Sequence, residues 1–305
     1  MSQSSPLPDN AVAAVVVTHH PDATVARALA AALEQAHWLV VVDNASAAER
    51  LTPVEDAVRT AGTRAELLRN AGNLGIAAAQ NQGIARARAL GARHVLLLDQ
   101  DSVAQPGMVA ALLPALDSGD RVGMAVPVTA DDGQRKPTRF LVSADGRRAA
   151  AQAPEPERPV LHHLLYAIAS GSLIPMAVLD EVGPMREDFF IDFVDVEFGL
   201  RLRRAGWDIV AARDARLRHR LGAYEERRLF GRTVPVTHHS AKRRYTQYRN
   251  RVRTLRLYGR VLPAFLRAEL PAIAVDLLRL VLFERGRPAK IAATVRGALA
   301  GLFGR

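Results

Sequence analysis

The chain has 305 residues, 49% of them hydrophobic and only 5% aromatic, which leaves room for one large globular domain with a substantial extension. It contains no cysteine, so disulfides, thiolate metal sites and cysteine nucleophiles are all excluded. The net charge of +10 is unevenly spread: residues 1–200 carry 16 Lys and Arg against 24 Asp and Glu, and residues 201–305 carry 25 against 7. An acidic front that suits cations therefore precedes a basic back that suits phosphates, nucleic acid or a lipid surface.

In chain order, residues 1–10 (MSQSSPLPDN) lack a basic segment followed by an apolar one. They predict a disordered N-terminus without a secretory signal, and the cytoplasm as default compartment. AVAAVVV (11–17) reads as a buried strand and residues 22–36 as an alanine-rich helix. A strand at 38–46 is followed by a short helix at 52–62 with Pro53 at its start, then a strand at 65–70 and a helix at 75–91. HVLLLDQDS (94–102) is a strand that stops on two aspartates; a helix at 106–119 and a strand at 121–129 follow. Continuous apolar strands alternating with helices predict an α/β fold with a mostly parallel sheet covered on both faces. Ligands of such sheets bind beyond the carboxyl ends of the strands. Here those ends read THH, DNAS, RNAGN and DQDS, four polar ends that point to one site on a common rim.

Residues 131–160, rich in charge, proline and glycine, read as a loop or irregular hairpin. Beyond them, YAIASGSLIP gives a strand-turn and FFIDFVDVEFGLRLRRAGW a helix, and from residue 240 the chain is helical and basic. The segment 238–260 sets Arg244, Tyr248, Arg251 and Leu255 at helical spacing, which suits a diphosphate held by arginine forks or an anionic bilayer. Residues 261–283 are largely apolar, but Arg267, Glu269, Asp276 and Arg279 interrupt them, so they do not read as a membrane span. Two readings stay open for this segment: an amphipathic helix at a membrane interface, or an appendage packed on the catalytic domain or on another subunit.

Asp99 and Asp101 stand two apart, so their side chains can share one side of the backbone, roughly 6–7 Å apart. Hard divalent cations take one or two carboxylates together with substrate phosphates and water. An isolated Asp-x-Asp is more often a turn before a helix. Its position after a buried strand, on the shared rim, favours a cation that holds a diphosphate.

VVVTHHPD, VVDNAS, RNAGNLGIAAAQNQG, LLLDQDS and FFIDFVDVEFGLRLRRAGW, in this order and spacing, resemble family-2 glycosyltransferases with the GT-A fold. LLLDQDS with GNLGIAAAQNQG resembles the bacterial L-rhamnosyltransferases of cell-surface polysaccharide synthesis, and the likeness runs from about residue 11 to about 258. It implies a nucleotide-sugar-binding half at 11–130, an acceptor-binding and catalytic half at 131–240 and a basic helical extension at 241–305. It further implies an inverting transferase that uses Mg²⁺ or Mn²⁺. The donor would be dTDP-L-rhamnose, with a UDP-sugar as the alternative, and the acceptor a glycan or a polyprenyl-diphosphate-linked glycan. Peripheral membrane contact and a homo-oligomer remain open.

Residue by residue, the resemblance sets Thr18 near the base and ribose, and Asp43 with Asn44 on the pyrimidine ring, whose imide N–H a carboxylate can accept. It sets Asn73, Gly75 and Asn81 around the donor, where small residues before a helix leave backbone N–H groups free for a ligand. Asp99 and Gln100 fall at the donor ribose, and Asp99, Asp101 and His219 at the metal. The pairs His19–His20 and His238–His239 compete for that last role. A base must take the acceptor proton, and Asp192, Asp195 and Glu197 are candidates; the resemblance picks Asp195. A helix start there favours its ionised form, while Asp192 and Glu197 push its pKa up. Ser170, Gly171 and Ser172 are expected beneath the acceptor, and Asp192, Glu197, Arg244, Arg249 and Arg251 at the acceptor or diphosphate.

Two competing functions fit less well. A sugar-phosphate nucleotidyltransferase wants a glycine- and arginine-rich loop after the first strand, where this chain has THHPD. A nucleic-acid-binding protein is disfavoured by the low aromatic content and the complete acidic front.

Overall fold

The computed structural model describes residues 11–130, 138–219, 225–229, 232–236 and 238–304. The expected disordered residues 1–10 lie outside that set. The first half runs β1 (Val12–Thr18), α1 (Val25–Leu33), β2 (Trp38–Asp43), α2 (Ala48–Ala61), β3 (Ala65–Arg69), α3 (Ile76–Ala89) and β4 (His94–Asp99). These strands pair in parallel in the order β3-β2-β1-β4. Along β1 the side chains alternate between two cores: Ala13, Val15 and Val17 join one, and Val12, Ala14 and Val16 the other. Burial on both faces is why the strand reads as an unbroken apolar run.

The second half adds β5 (Ser102–Ala104), α4 (Met108–Leu116), β6 (Val122–Ala130), β7 (Phe140–Val142), β8 (Ala150–Gln152), β9 (Val160–Leu161), β10 (Leu173–Pro175), α5 (Met176–Val182), α6 (Val194–Arg204), β11 (Asp208–His219), β12 (Glu225–Leu229) and β13 (Arg232–Val236). The sheet continues β4-β10-β6-β11-β5, with β9 on β11. β10 is antiparallel to both neighbours, β11 is parallel to β6, and β5 is antiparallel to β11. The sheet is thus mixed and mostly parallel. The β7–β8 hairpin falls within the segment read as a loop or irregular hairpin. The long strand β11 reaches the rim: its last residue, His219, pairs with Ser102 and so arrives beside the DQDS turn.

Three helices close the chain: α7 (Ala241–Tyr258), α8 (Pro263–Phe283) and α9 (Arg287–Phe303). The side chain of Ser240 caps α7 by accepting from the Arg243 N–H. Leu200 of α6 packs with Tyr258, Leu262 and Phe265, which fastens this helical unit to the sheet domain. α8 packs on α7 through ion pairs, the buried Arg251–Glu269 and the partly buried Arg244–Asp276. No helix among the described residues is long and apolar enough to cross a membrane.

Two local expectations are corrected. α2 starts at Ala48, so Pro53 lies inside the helix, not at its start. Proline lacks an N–H, which leaves the Glu49 carbonyl without its helical donor; Glu49 is exposed, so water serves instead. The turn after Asp99 does not lead straight into a helix, because β5 intervenes before α4.

Candidate active site

The apolar run of β4 brings Asp99 to the rim, the turn brings Asp101 beside it, and β11 brings His219 from 117 residues away to the neighbouring Ser102. One ligand atom from each of Asp99, Asp101 and His219 falls within 4.8 Å of the other two. Asp101 Oδ1 stands 3.7 Å from His219 Nδ1. Behind the cluster runs a chain of hydroxyls. The Asp99 N–H donates to Ser170 Oγ (3.0 Å), Ser170 Oγ donates to Ser102 Oγ (2.7 Å), and Ser102 Oγ contacts His219 Nδ1 at 2.7 Å. These partners orient the imidazole as outer partners orient metal-bound histidines.

Burial, joined by the nearby carboxylates of Asp101 and Asp195, pushes the Asp99 carboxyl up to about 6, and the His219 ring opposes the shift. A divalent cation held by these groups would relieve that repulsion. Two carboxylates and an imidazole form an oxygen-and-nitrogen donor set that fits Mn²⁺ or Mg²⁺. The residues present therefore fit the metal.

A cavity of about 510 Å³ opens over the cluster, lined also by His19, Asn44, Asn73, Gly75, Gln100 and Arg243. A larger one, about 760 Å³, lies at the β7–β8 hairpin among Arg139, Arg158, Arg213 and Arg216. Among the described residues Glu155 is the one acid that lines it, so the smaller cavity, over the Asp-Asp-His cluster, is the candidate site.

On the donor side, Thr18 and Asp43 are buried at the ends of β1 and β2. The Thr18 hydroxyl donates to Asp43 Oδ1 (2.9 Å), and Ser46 donates to the same carboxylate through its N–H and its hydroxyl. Gln100 clasps the His19 backbone, accepting from its N–H (2.8 Å) and donating to its carbonyl (3.3 Å). Asn44 binds Asn73 and the Gly75 carbonyl.

Three of the N–H groups expected to be free around GNLG are taken up within the protein. The Leu74 N–H goes to Asn44 Oδ1, the Gly75 N–H to Asn73 Oδ1 and the Ile76 N–H to the Phe190 carbonyl (2.7 Å). Asn81 likewise turns inward, exchanging hydrogen bonds with the backbone of Met185 and donating to Glu187.

A second wall of the cavity comes from the FFIDF segment, through Phe190 and Ile191. Phe190, Asp192 and Phe193 all have positive φ, between 63° and 66°. Such backbone costs of order 1–3 kcal/mol per residue and persists only where its surroundings impose it. Asn250 of α7, fully buried, imposes it here: its amide group reaches the carbonyls of Phe189 (2.8 Å), Ile191 (2.9 Å) and Asp192 (2.9 Å). Arg243 adds a two-pronged pair to Asp192, at 3.0 and 2.9 Å.

Asp195 sits half-buried in the first turn of α6. Its pKa is raised, first by burial and also by Asp192, while hydrogen bonds from backbone N–H groups, that of Val196 among them, pull the other way. Of the two opposing effects read from the sequence, the neighbouring charge of Asp192 is present, but burial dominates and Glu197 plays no part. Glu197 is buried, accepts from the Tyr258 hydroxyl (2.6 Å) and pairs with Arg201, so it ties α6 to α7 and does not face an acceptor.

Three further expectations change. Ser170, Gly171 and Ser172 do not form an open acceptor floor. Both serines are buried and hydrogen-bonded, Ser172 to the Ile168 carbonyl, and the Gly171 N–H goes to the Leu97 carbonyl, so the trio braces the metal rim from behind. Arg244 and Arg251 point into the helical unit, the first to Asp276 and Glu284 and the second to Glu269. Arg249 donates to the carbonyls of Asp188 and Phe189. Their neighbour Arg243, not singled out in the sequence, is among the described residues the arginine that lines the cavity. Sequence reasoning also misses Ser102 and Asn250. Ser102 has one readable signal, its place directly after the aspartate pair. The histidine pairs at 19–20 and 238–239 stay outside the metal cluster.

Comparison with known proteins agrees with this geometry. Residues 8–253 match the family described as "Glycosyltransferase like family 2". The dTDP-rhamnosyl transferase RfbF of Shigella flexneri is 30% identical over 248 residues, 80% of this chain and 79% of that one. Among solved structures, the mannosyltransferase PcManGT of Pyrobaculum calidifontis, in complex with GDP-Man and Mn²⁺, is similar with a TM-score of 0.58 at 16% identity, over 96% of this chain and 87% of its own. GalNAc-T7 with UDP, GalNAc and Mn²⁺ gives 0.57 at 15% identity, over 81% of this chain and 48% of that one, so this chain spans about half its length. S. aureus TarS 1–349 with UDP-GlcNAc gives 0.55 at 14% identity, over 94% of this chain and 81% of its own. With the family match covering most of its length and a GT-A sheet around an Asp-Asp-His rim, the chain belongs to glycosyltransferase family 2 and is a glycosyltransferase.

Proposed function

We propose that the protein is an inverting rhamnosyltransferase that moves L-rhamnose from dTDP-L-rhamnose to a hydroxyl of a glycan or polyprenyl-diphosphate-linked glycan. It would serve cell-surface polysaccharide synthesis at the cytoplasmic side of the membrane. One observation carries the mechanism: Asp195, in the first turn of α6, lies close enough to the metal-rim carboxylate Asp99 to influence it electrostatically. The donor reading is supported by the identity to the Shigella enzyme.

Asp99, Asp101 and His219 would hold the cation, with Ser102 and Ser170 steadying the imidazole and the Asp99 backbone. When bound, Mg²⁺ or Mn²⁺ supplies positive charge against the negative charge that develops on the departing diphosphate. Asp195 accepts the acceptor's hydroxyl proton at a carboxylate oxygen. The hydroxyl oxygen then bonds to the anomeric carbon as the bond to the nucleoside diphosphate breaks, and attack from the far face inverts the configuration. Arg243, kept at the cavity by Asp192, presents its guanidinium toward the diphosphate. Thr18 and Asp43 form the floor beneath the base, where the thymine imide N–H takes the place of the Ser46 hydroxyl on Asp43.

Calorimetric titration with dTDP-L-rhamnose, UDP-GlcNAc and GDP-mannose, each with and without Mn²⁺, tests the reading. Metal-dependent binding led by dTDP-L-rhamnose is expected. Preference for a uridine or guanosine donor overturns the donor assignment.

A further inference from the structure

Helix α8 is built inside out. The face turned toward the protein carries both of its acids. Glu269 accepts from Arg251 Nε (2.6 Å), and Asp276 accepts from Arg244 and from the Tyr248 hydroxyl, each at 2.7 Å. Just past its end, Glu284 accepts from Lys290 (2.7 Å) and pairs with Arg244. The face turned toward solvent is hydrocarbon. Leu270, Val275, Leu277, Leu278, Val281 and Leu282 are all exposed, Leu270 by 56%, and every fully exposed position between 270 and 282 is apolar.

Helix α9 continues the pattern. Ile291, Val295, Leu299 and Leu302 are exposed, while Gly297 and Gly301 face the α7 backbone so closely that a methyl at either would strike the Tyr245 or Arg249 carbonyl. Small residues spaced four apart at a helix contact, with aliphatic side chains turned outward, are how helices pack where the surroundings are lipid. An aliphatic surface of this extent on a water-soluble domain marks an interaction site.

The charges beside that surface choose the partner. Arg260 and Arg267 stand exposed at one end of α8, and Arg285 and Arg287 at the other. A second copy of the chain seated on this face would bring arginine against arginine. A bilayer that carries anionic headgroups accepts both features at once, aliphatic side chains below the headgroups and guanidinium groups among them. No described helix can span a bilayer, so the contact lies along the surface.

We propose that the outer face of α8, extended by α9, docks the enzyme on an anionic membrane surface. The docking does not depend on which donor is used. The test is flotation of the full chain with vesicles of phosphatidylcholine alone or mixed with phosphatidylglycerol, at low and high salt. The variant Leu278→Gln with Val281→Gln removes apolar surface without adding charge. Both sites are exposed, and an unchanged thermal midpoint and donor affinity verify its fold.

Expected is flotation of the wild type with the anionic vesicles, weakened by salt, and a bound fraction at least about tenfold lower for the variant. Wild type that stays behind overturns the proposal, and so does a variant that floats equally well. A lipid-free dimer that the variant splits also overturns it, because a second copy then covers the face.

Discussion

The two walls of the active-site cavity are made in different ways. On the metal side, each polar group stands at the end of a strand held by the parallel ladder, or one turn beyond it, as with Asp43 and Asp99. On the base side, three residues with left-handed backbone lead into α6, and the carbonyls of Phe189, Ile191 and Asp192 along this stretch are gathered by one amide group some 60 residues later in the chain. The first wall is set by strand ends and backed by buried sheet, even where β11 brings His219 from far along the chain. The second depends on a tertiary contact, so a single change far from the chemistry can spoil it.

The sharpest break in this comparison comes from Asp195→Asn. Transfer should fall by about 10²–10⁴-fold, the usual worth of a positioned base, with donor affinity in Mn²⁺ nearly unchanged. Near-normal turnover would remove Asp195 from the mechanism. Ser102→Ala probes the other wall. Losing a hydrogen-bond partner of the histidine should weaken Mn²⁺ binding by about 10–100-fold, measured by paramagnetic resonance of free Mn²⁺. Equal affinity in the variant would mean the hydroxyl chain does not steady His219.

Asn250→Ala should give the converse pattern. Three carbonyls lose their donor, lowering stability by about 1–3 kcal/mol in denaturant melts and reducing kcat, while Mn²⁺ affinity holds. A fall in metal affinity as large as that in kcat would show that the walls are not independent.

The smallest effect concerns pH. In the folded metal-free protein the Asp99 carboxyl titrates at about 6, above its unfolded value. Its contribution to stability is therefore fully present below the unfolded value and lost as pH rises through about 6. Asp99→Asn, which carries no charge to desolvate, should gain in thermal midpoint on the wild type as pH goes from about 5 to about 7. Mn²⁺ should close the gap by stabilising the wild type alone. A gap that is flat across this range would contradict the assigned environment.

Legibility in the sequence divides along the same line. The strands of the first half are buried on both faces, so they appear as apolar runs, and a polar residue that ends such a run is visible by contrast, as Thr18, Asp43 and Asp99 all are. The second wall gives no such contrast. Arg243 and Arg244 are adjacent in an arginine-rich helix, yet about 100° of helical rotation separates them. One meets Asp192 at the cavity and the other is buried against Asp276 and Glu284. Nothing in local composition distinguishes them. Asn250 looks like any polar residue on a solvated helix until the fold shows which carbonyls it meets. The N–H groups of GNLG mislead for a related reason, since their acceptors include Asn44 and Phe190, which belong to distant segments.

Gly75 draws the two walls together at a point that holds no reactive atom. Its φ is +87°, and a methyl built there would fall 2.6 Å from the Phe190 carbonyl oxygen and 2.7 Å from the ring carbon Cδ2. Any larger residue would act as a wedge, prising the proton-accepting side away from the departing phosphates. The width of the catalytic gap is thus gauged by a missing side chain.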